Sequence, residues 1–186
     1  MIVFPNLYLG LHCNVKRLHL LIPDKNELWF SIGEKSWCEK RDGSPLRTNL
    51  SQGKSINEMI LVTSKNHRNQ NLKQLIEKLK FRDTVLMGSI GCKIASILRG
   101  ESDIYICLSL PGKSSPKDWD FAAPGAILKA AGGSITNLDN KELTYGSKNF
   151  EQGGIIVATS DKCTHKGICL EIKDTISKFN LYPVNF

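Results

Sequence analysis

Apolar and polar positions alternate with a period of two near the start of the chain. Leu18–Ile22 and Glu27–Ile32 read as strands, separated by Pro-Asp-Lys-Asn, which is turn chemistry. Trp37-Cys-Glu-Lys-Arg41 then leads into Asp42-Gly43, a type I′ hairpin signal. Residues from about 18 to 50 are therefore expected to form an antiparallel meander, and the polar stretch Thr48–Asn57 a linker or loop.

Beyond it the period changes. Met59–Thr63 is a buried-strand run, and Leu72, Leu75, Ile76 and Leu79 recur at helical spacing as one apolar stripe. Strands are expected at Thr84–Met87, Asp103–Leu108, Ser134–Leu138 and Ile155–Ala158. Helices are expected at Ile90–Leu98, at Phe121–Ala131 and from about Lys166 to Phe179. Gly132-Gly133 follows the second of these as a left-handed C-cap. Such alternation argues for an α/β layered domain over 58–186, with 1–57 as the remnant of a second, antiparallel sheet. Ile2, Val3, Leu7, Leu9 and Leu11 demand burial at once, as if the sequence began inside a fold.

The chain has 186 residues, enough for one domain, with an ordinary globular composition. Its net charge of +7 favours polyanionic partners, but the cations are dispersed, which suits a small phosphate-bearing ligand better than nucleic acid. Six cysteines include no C-x-x-C pair, so thiolate metal sites are not expected. Cys92 and Cys107 lie in apolar stretches, as reduced buried thiols do. With neither a signal peptide nor an apolar run of membrane length, the expected compartment is the cytoplasm, with no membrane partner.

Three segments carry candidate chemistry. In Lys117-Asp-Trp-Asp-Phe-Ala-Ala-Pro-Gly125, Asp120 precedes the expected helix, where an isolated aspartate is ordinarily an N-cap. Asp118 is assigned a supporting or surface role. Ser64-Lys-Asn-His67 follows a strand, where α/β folds place ligand-binding groups. Met87-Gly-Ser-Ile-Gly-Cys-Lys93 turns from strand to helix through small residues, exposing backbone N–H groups to an anion without forming a P-loop.

Trp-Asp-x-Ala-Ala followed by Ala-Gly-Gly resembles the C-terminal signature of the inositol-monophosphatase superfamily. With Ser-x-x-His and Gly-Ser-x-Gly-x-Lys, the set is similar to the 3′(2′),5′-bisphosphate nucleotidase branch. The resemblance implies a layered αβαβα sugar-phosphatase-like fold and Mg²⁺ as cofactor, with Asp120 as a metal ligand. It also implies Ser64, His67, Ser89 and Lys93 around a nucleotide bisphosphate and its non-reacting phosphate. The loop from Leu110 to Lys117 would border the base pocket. The implied reaction is hydrolysis of adenosine 3′,5′-bisphosphate to AMP and phosphate. An inositol-monophosphate-type phosphatase and a non-catalytic nucleotide-binding fragment are the alternatives.

The superfamily's Asp-Pro-x-Asp-Gly-Thr motif is absent from the sequence. The resemblance therefore implies an N-terminally truncated chain with no complete catalytic set and little activity by itself. An uncovered sheet face is expected to drive self-association.

Overall fold

The structure, a computed structural model, describes residues 18–65, 70–109 and 115–181. The apolar residues of the first eleven positions, His67 and most of the Leu110–Lys117 loop lie outside the described residues.

The first sheet joins β1 (Leu18–Ile22), β2 (Glu27–Ile32), β3 (Lys35–Lys40) and β4 (Pro45–Leu46) in chain order, every pair antiparallel. Alternation sets its faces. Leu20, Ile22, Trp29 and Cys38 point into a core, whereas Leu21 and Ile32 on the other face are 41% and 42% exposed. On that outer face Phe30 packs edge-on against Trp37, with ring centroids 4.1 Å apart.

The turn after β3 is not the type I′ turn expected. Gly43 has φ +80°, but Asp42 is not at positive φ. The Gly43 N–H donates to the Lys40 carbonyl and the Lys40 N–H to that of Ser44, both at 2.9 Å, which is a type I turn closed by a glycine bulge. Asp42 is held in its ordinary conformation because its carboxylate accepts the Ser44 N–H at 2.9 Å.

The second sheet contains β5 (Ile60–Ser64), β6 (Asp83–Met87), β7 (Ile104–Ser109), β8 (Ser134–Asn137) and β9 (Gly154–Thr159), in the order β6-β5-β7-β9-β8. β5 runs parallel to β6 and β7, and β9 runs antiparallel to β7 and β8. Helices α1 (Gln70–Leu79) and α4 (Lys162–Phe179) cover one face of it. Helices α2 (Ile90–Leu98) and α3 (Asp118–Ala130) cover the other and pack in turn on the inner face of the first sheet. The described residues thus stack as α, β, α, β, a layered mixed α/β fold. Each fully buried leucine of the α1 stripe, Leu72, Leu75 and Leu79, contributes roughly 1.5–3 kcal/mol by leaving water.

Two helices start earlier than their apolar periodicity indicates. α4 begins at Lys162, four residues ahead of the expected start, because the Asp161 carboxylate caps it by accepting the Cys163 N–H at 2.8 Å. α3 begins at Asp118, so Asp120 is its third residue rather than its N-cap, and Pro124 lies inside the helix. Its end is the one expected. Gly132, at φ +101°, donates to Lys129, and Gly133 donates to Leu128, each at 3.0 Å, completing a Schellman motif.

The passage between the sheets is fastened at the N-terminal ends of β5 and β7. The buried Asp103 carboxylate accepts the Ile60 N–H at 2.7 Å, pairs with Lys54 at 2.8 Å and bonds the Ser51 hydroxyl. Gly53 donates to Asp161 at 3.0 Å. Among the described residues, no helix is long and apolar enough to cross a membrane.

Candidate functional site

The chain passes from β5 through α1 to β6 on one side, then through α2 back to β7 on the other. Adjacent strands whose helices leave to opposite faces separate beyond their C-terminal ends and leave a crevice there. A pocket of about 330 Å³ occupies this position.

Ser64 ends β5, Gly88 and Ser89 follow β6, and Tyr105, Cys107 and Ser109 come from one face of β7; all of these line the pocket. Lys93 comes from the first turns of α2, and Ser115, Pro116 and Asp120 close the side formed by the start of α3. Four of the five residues singled out from the sequence, Ser64, Ser89, Lys93 and Asp120, therefore share one cavity. His67 lies outside the described residues, and its relation to the pocket is not described.

Lys93 is the unusual group. It is only 1% exposed, and its Nζ donates to the Gly88 carbonyl at 2.5 Å and sits 5.4 Å from the Tyr105 ring centroid. Burial holds its pKa below that of an ordinary lysine, against the opposing pull of Cys107, Cys92 and Asp120. No ion pair joins Lys93 to Asp120 among the described residues. Gly91, two residues earlier, lets α2 approach β1: a Cβ there would lie 2.8 Å from Leu20 Cδ1.

Asp120 is half-buried, and one of its carboxylate oxygens accepts the Lys117 N–H at 2.8 Å, reaching back across the first turn of α3. Its neighbour Asp118 is not the surface residue that was one of the two roles expected of it. It is 1% exposed, and its carboxylate accepts the Gly146 N–H at 2.6 Å and the Gln152 amide at 2.5 Å. The Asp118 N–H donates in turn to the Phe150 carbonyl at 2.8 Å, and that of Gln152 to Pro116 at 2.8 Å. The 144–152 segment is thus strapped to the residues just ahead of Asp120. Exposed Trp119 meets Phe150 outside this strap, with centroids 6.1 Å apart.

Cys107 is a free thiol that packs against the core cluster and also lines the pocket. It is half-buried in the pocket wall, 3.8 Å from the Ser109 hydroxyl, and burial pushes its pKa up. Ile104, Ile106 and Leu108 enter the core beneath α1 and α4, and Tyr105, Cys107 and Ser109 alternate with them on the other face, but residues 105 to 109 of both faces line the pocket.

The sequence pattern of the inositol monophosphatase family matches residues 20–177. The chain belongs to that family. It is 32% identical over 118 residues to a 3′(2′),5′-bisphosphate nucleotidase CysQ of Buchnera aphidicola, an alignment covering 63% of this chain and 41% of that one. It is 34% identical over 102 residues to a 3′(2′),5′-bisphosphate nucleotidase 1 of Mus musculus, covering 53% and 32%. Among solved structures, an IMPase of Thermotoga maritima superposes with a TM-score of 0.64 at 20% identity, covering 88% of this chain and 57% of that one. CysQ from Bacteroides thetaiotaomicron gives 0.62 at 22%, covering 78% and 58%. The chain therefore spans well under two thirds of these relatives.

Enzymes of this family are generally metal-dependent, usually on Mg²⁺. Hard Mg²⁺ wants several oxygen ligands in near-octahedral array. Among the described residues no group of three or more His, Cys, Asp or Glu side chains converges, and Asp120 is the one carboxylate on the described pocket wall. These residues do not by themselves make a magnesium site.

Proposed function

We propose that this chain carries the nucleotide-holding part of a phosphatase of the 3′(2′),5′-bisphosphate nucleotidase type, whose reaction releases AMP and phosphate from adenosine 3′,5′-bisphosphate. The observation that carries the reading is a buried lysine, Lys93, in the same cavity as Asp120. A bisphosphate presents two anions, one to be cleaved beside Asp120 and one to be held. A cyclitol monophosphate has no second phosphate for Lys93. Ser64 and Ser89, with the backbone N–H groups that open α2, supply hydrogen-bond donors suited to the held phosphate. His67 belongs to the same reading through its sequence position beyond β5.

Asp120 would be one oxygen ligand of Mg²⁺. Bound there with ligands additional to Asp120, the metal would supply Lewis-acid polarisation of a phosphoryl group and a more acidic bound water. The donor set on the described wall is too small for that work, which favours binding without turnover by this chain alone. Phosphate release from adenosine 3′,5′-bisphosphate with Mg²⁺ is accordingly expected to stay at background.

Calorimetric titration tests the binding. Adenosine 3′,5′-bisphosphate is expected to give a saturable heat that vanishes in Lys93→Ala and is absent with inositol monophosphate. Equal heats from both ligands, or an undiminished heat in the variant, would refute the assignment.

A further inference from the structure

We propose that Tyr105 is the positioning residue of the anion-holding lysine: the face of its ring keeps the buried Lys93 ammonium charged and in place where no carboxylate pairs with it. The inference rests on the reading above for the use made of that charge.

Burying an ammonium is costly unless other groups take the place of its water. Elsewhere the cost is small. The side chains of Lys54, Lys117, Lys129 and Lys173 each meet a carboxylate and are still 30%, 32%, 36% and 39% exposed. Lys93 is 1% exposed, and no ion pair joins it to a carboxylate among the described residues. Its amine donates to the Gly88 carbonyl and stands over the Tyr105 ring, 5.4 Å from the centroid. That distance lies within the range of about 6 Å over which an aromatic face attracts a cation, and the attraction grows as water is excluded.

Tyr105 is fixed where it is needed. It is 2% exposed, its backbone is paired with Val62 on β5, and its hydroxyl bonds the thiol of Cys107 farther along β7. Both Tyr105 and Lys93 line the pocket. A carboxylate in place of the ring would neutralise the lysine and compete with an incoming phosphate. An aromatic face stabilises the charge without cancelling it. The other groups that act on the Lys93 charge are Cys92 on its own helix, Cys107 on β7 and Asp120 on α3. Each of them lacks the ring's combination of contact and neutrality: no hydrogen bond or ion pair joins any of them to the amine among the described residues.

The test alters the ring's electrostatics and preserves its shape. The whole chain is labelled with carbon-13 at lysine Cε, and Lys93 is assigned by the signal lost in Lys93→Arg. Its titration is followed by NMR in the parent, in Tyr105→Phe and in Tyr105→3,4,5-trifluorophenylalanine, whose ring face is electron-poor. Circular dichroism checks that all three are folded. Tyr105→Phe is expected to keep the Lys93 midpoint, and the fluorinated variant to lower it by about one pH unit. The pH above which adenosine 3′,5′-bisphosphate ceases to bind should fall by the same amount. Equal midpoints in all three proteins overturn the proposal. So does an equal fall in both variants, which would assign the effect to the hydroxyl. A shifted midpoint with no nucleotide heat in the parent leaves the part of Tyr105 standing and removes the nucleotide reading. Nucleotide binding that fluorination leaves untouched, with an unmoved midpoint, does the reverse.

Discussion

Replacing Asp118 by alanine should show how far the site depends on the strap beneath it. The carboxylate is 1% exposed and accepts two hydrogen bonds, from Gly146 and from the Gln152 amide. Gln152 is 7% exposed, so its amide would lose a charged acceptor with little water to replace it, although Thr144 still accepts from it at 2.7 Å. Removing a charged acceptor from a buried donor costs about 1–3 kcal/mol. Gly146 is exposed and can turn to solvent, so its share is about 0.5–1 kcal/mol. A negative charge at the first residue of α3 adds about 0.3–1 kcal/mol through the helix dipole. The sum is about 3 kcal/mol, which in a domain of this size lowers the melting temperature by roughly 6–12 °C. Thermal unfolding followed by circular dichroism reads it, with Asp120→Asn as the control. Asp120 is half-buried, and an amide oxygen can still accept the Lys117 N–H, so this variant loses only the helix-dipole share of about 0.3–1 kcal/mol and should melt within about 4 °C of the parent. Equal melting temperatures for the two variants would refute the account of the strap.

Acid should weaken the fold through His165, which is 1% exposed, lies 2.8 Å from the hydroxyls of both Thr136 and Thr159, and has its pKa lowered by burial to about 4. The unfolded chain takes up the proton below about 6.5 and the folded one resists it until about 4, so stability is full above the first value and falls by about 3 kcal/mol towards the second. Urea midpoints at pH 7 and pH 4.5 should show this, and a His165→Gln variant should show less of it. Gly133→Ala would bring a Cβ within 2.6 Å of Leu128 Cδ1 and 2.7 Å of the Thr159 carbonyl, costing about 1–3 kcal/mol; an unchanged urea midpoint would contradict the packing described. Leu21 and Ile32, exposed on the outer face of the first sheet, should make the chain associate as concentration rises. Sedimentation velocity of a Leu21→Lys, Ile32→Lys double variant should show that association reduced.

Much of the layering was legible because burial imposes a period on the sequence. β1, β2 and α2 begin and end at the residues their apolar alternation indicates. What escaped is governed by polar side chains acting on nearby backbone, which leaves no periodic trace. The Asp42 carboxylate set the turn type, Asp161 brought α4 forward, and Asp118 turned inward to hold a segment about thirty residues away in sequence. Ser64, Ser89, Lys93 and Asp120 could be picked out in the sequence only by resemblance, and the strand ends explain why they meet.

The fastening around Asp103 lies at the N-terminal ends of the strands whose other ends carry Ser64 and Ser109. One rim of the second sheet anchors the segment that arrives from the first sheet, and the opposite rim carries the pocket. Side chains on the receiving rim can therefore be exchanged to suit a new ligand while the clasp keeps its grip. A change at Ser51 or Lys54 would loosen the linker from the second sheet and touch none of the residues that line the pocket.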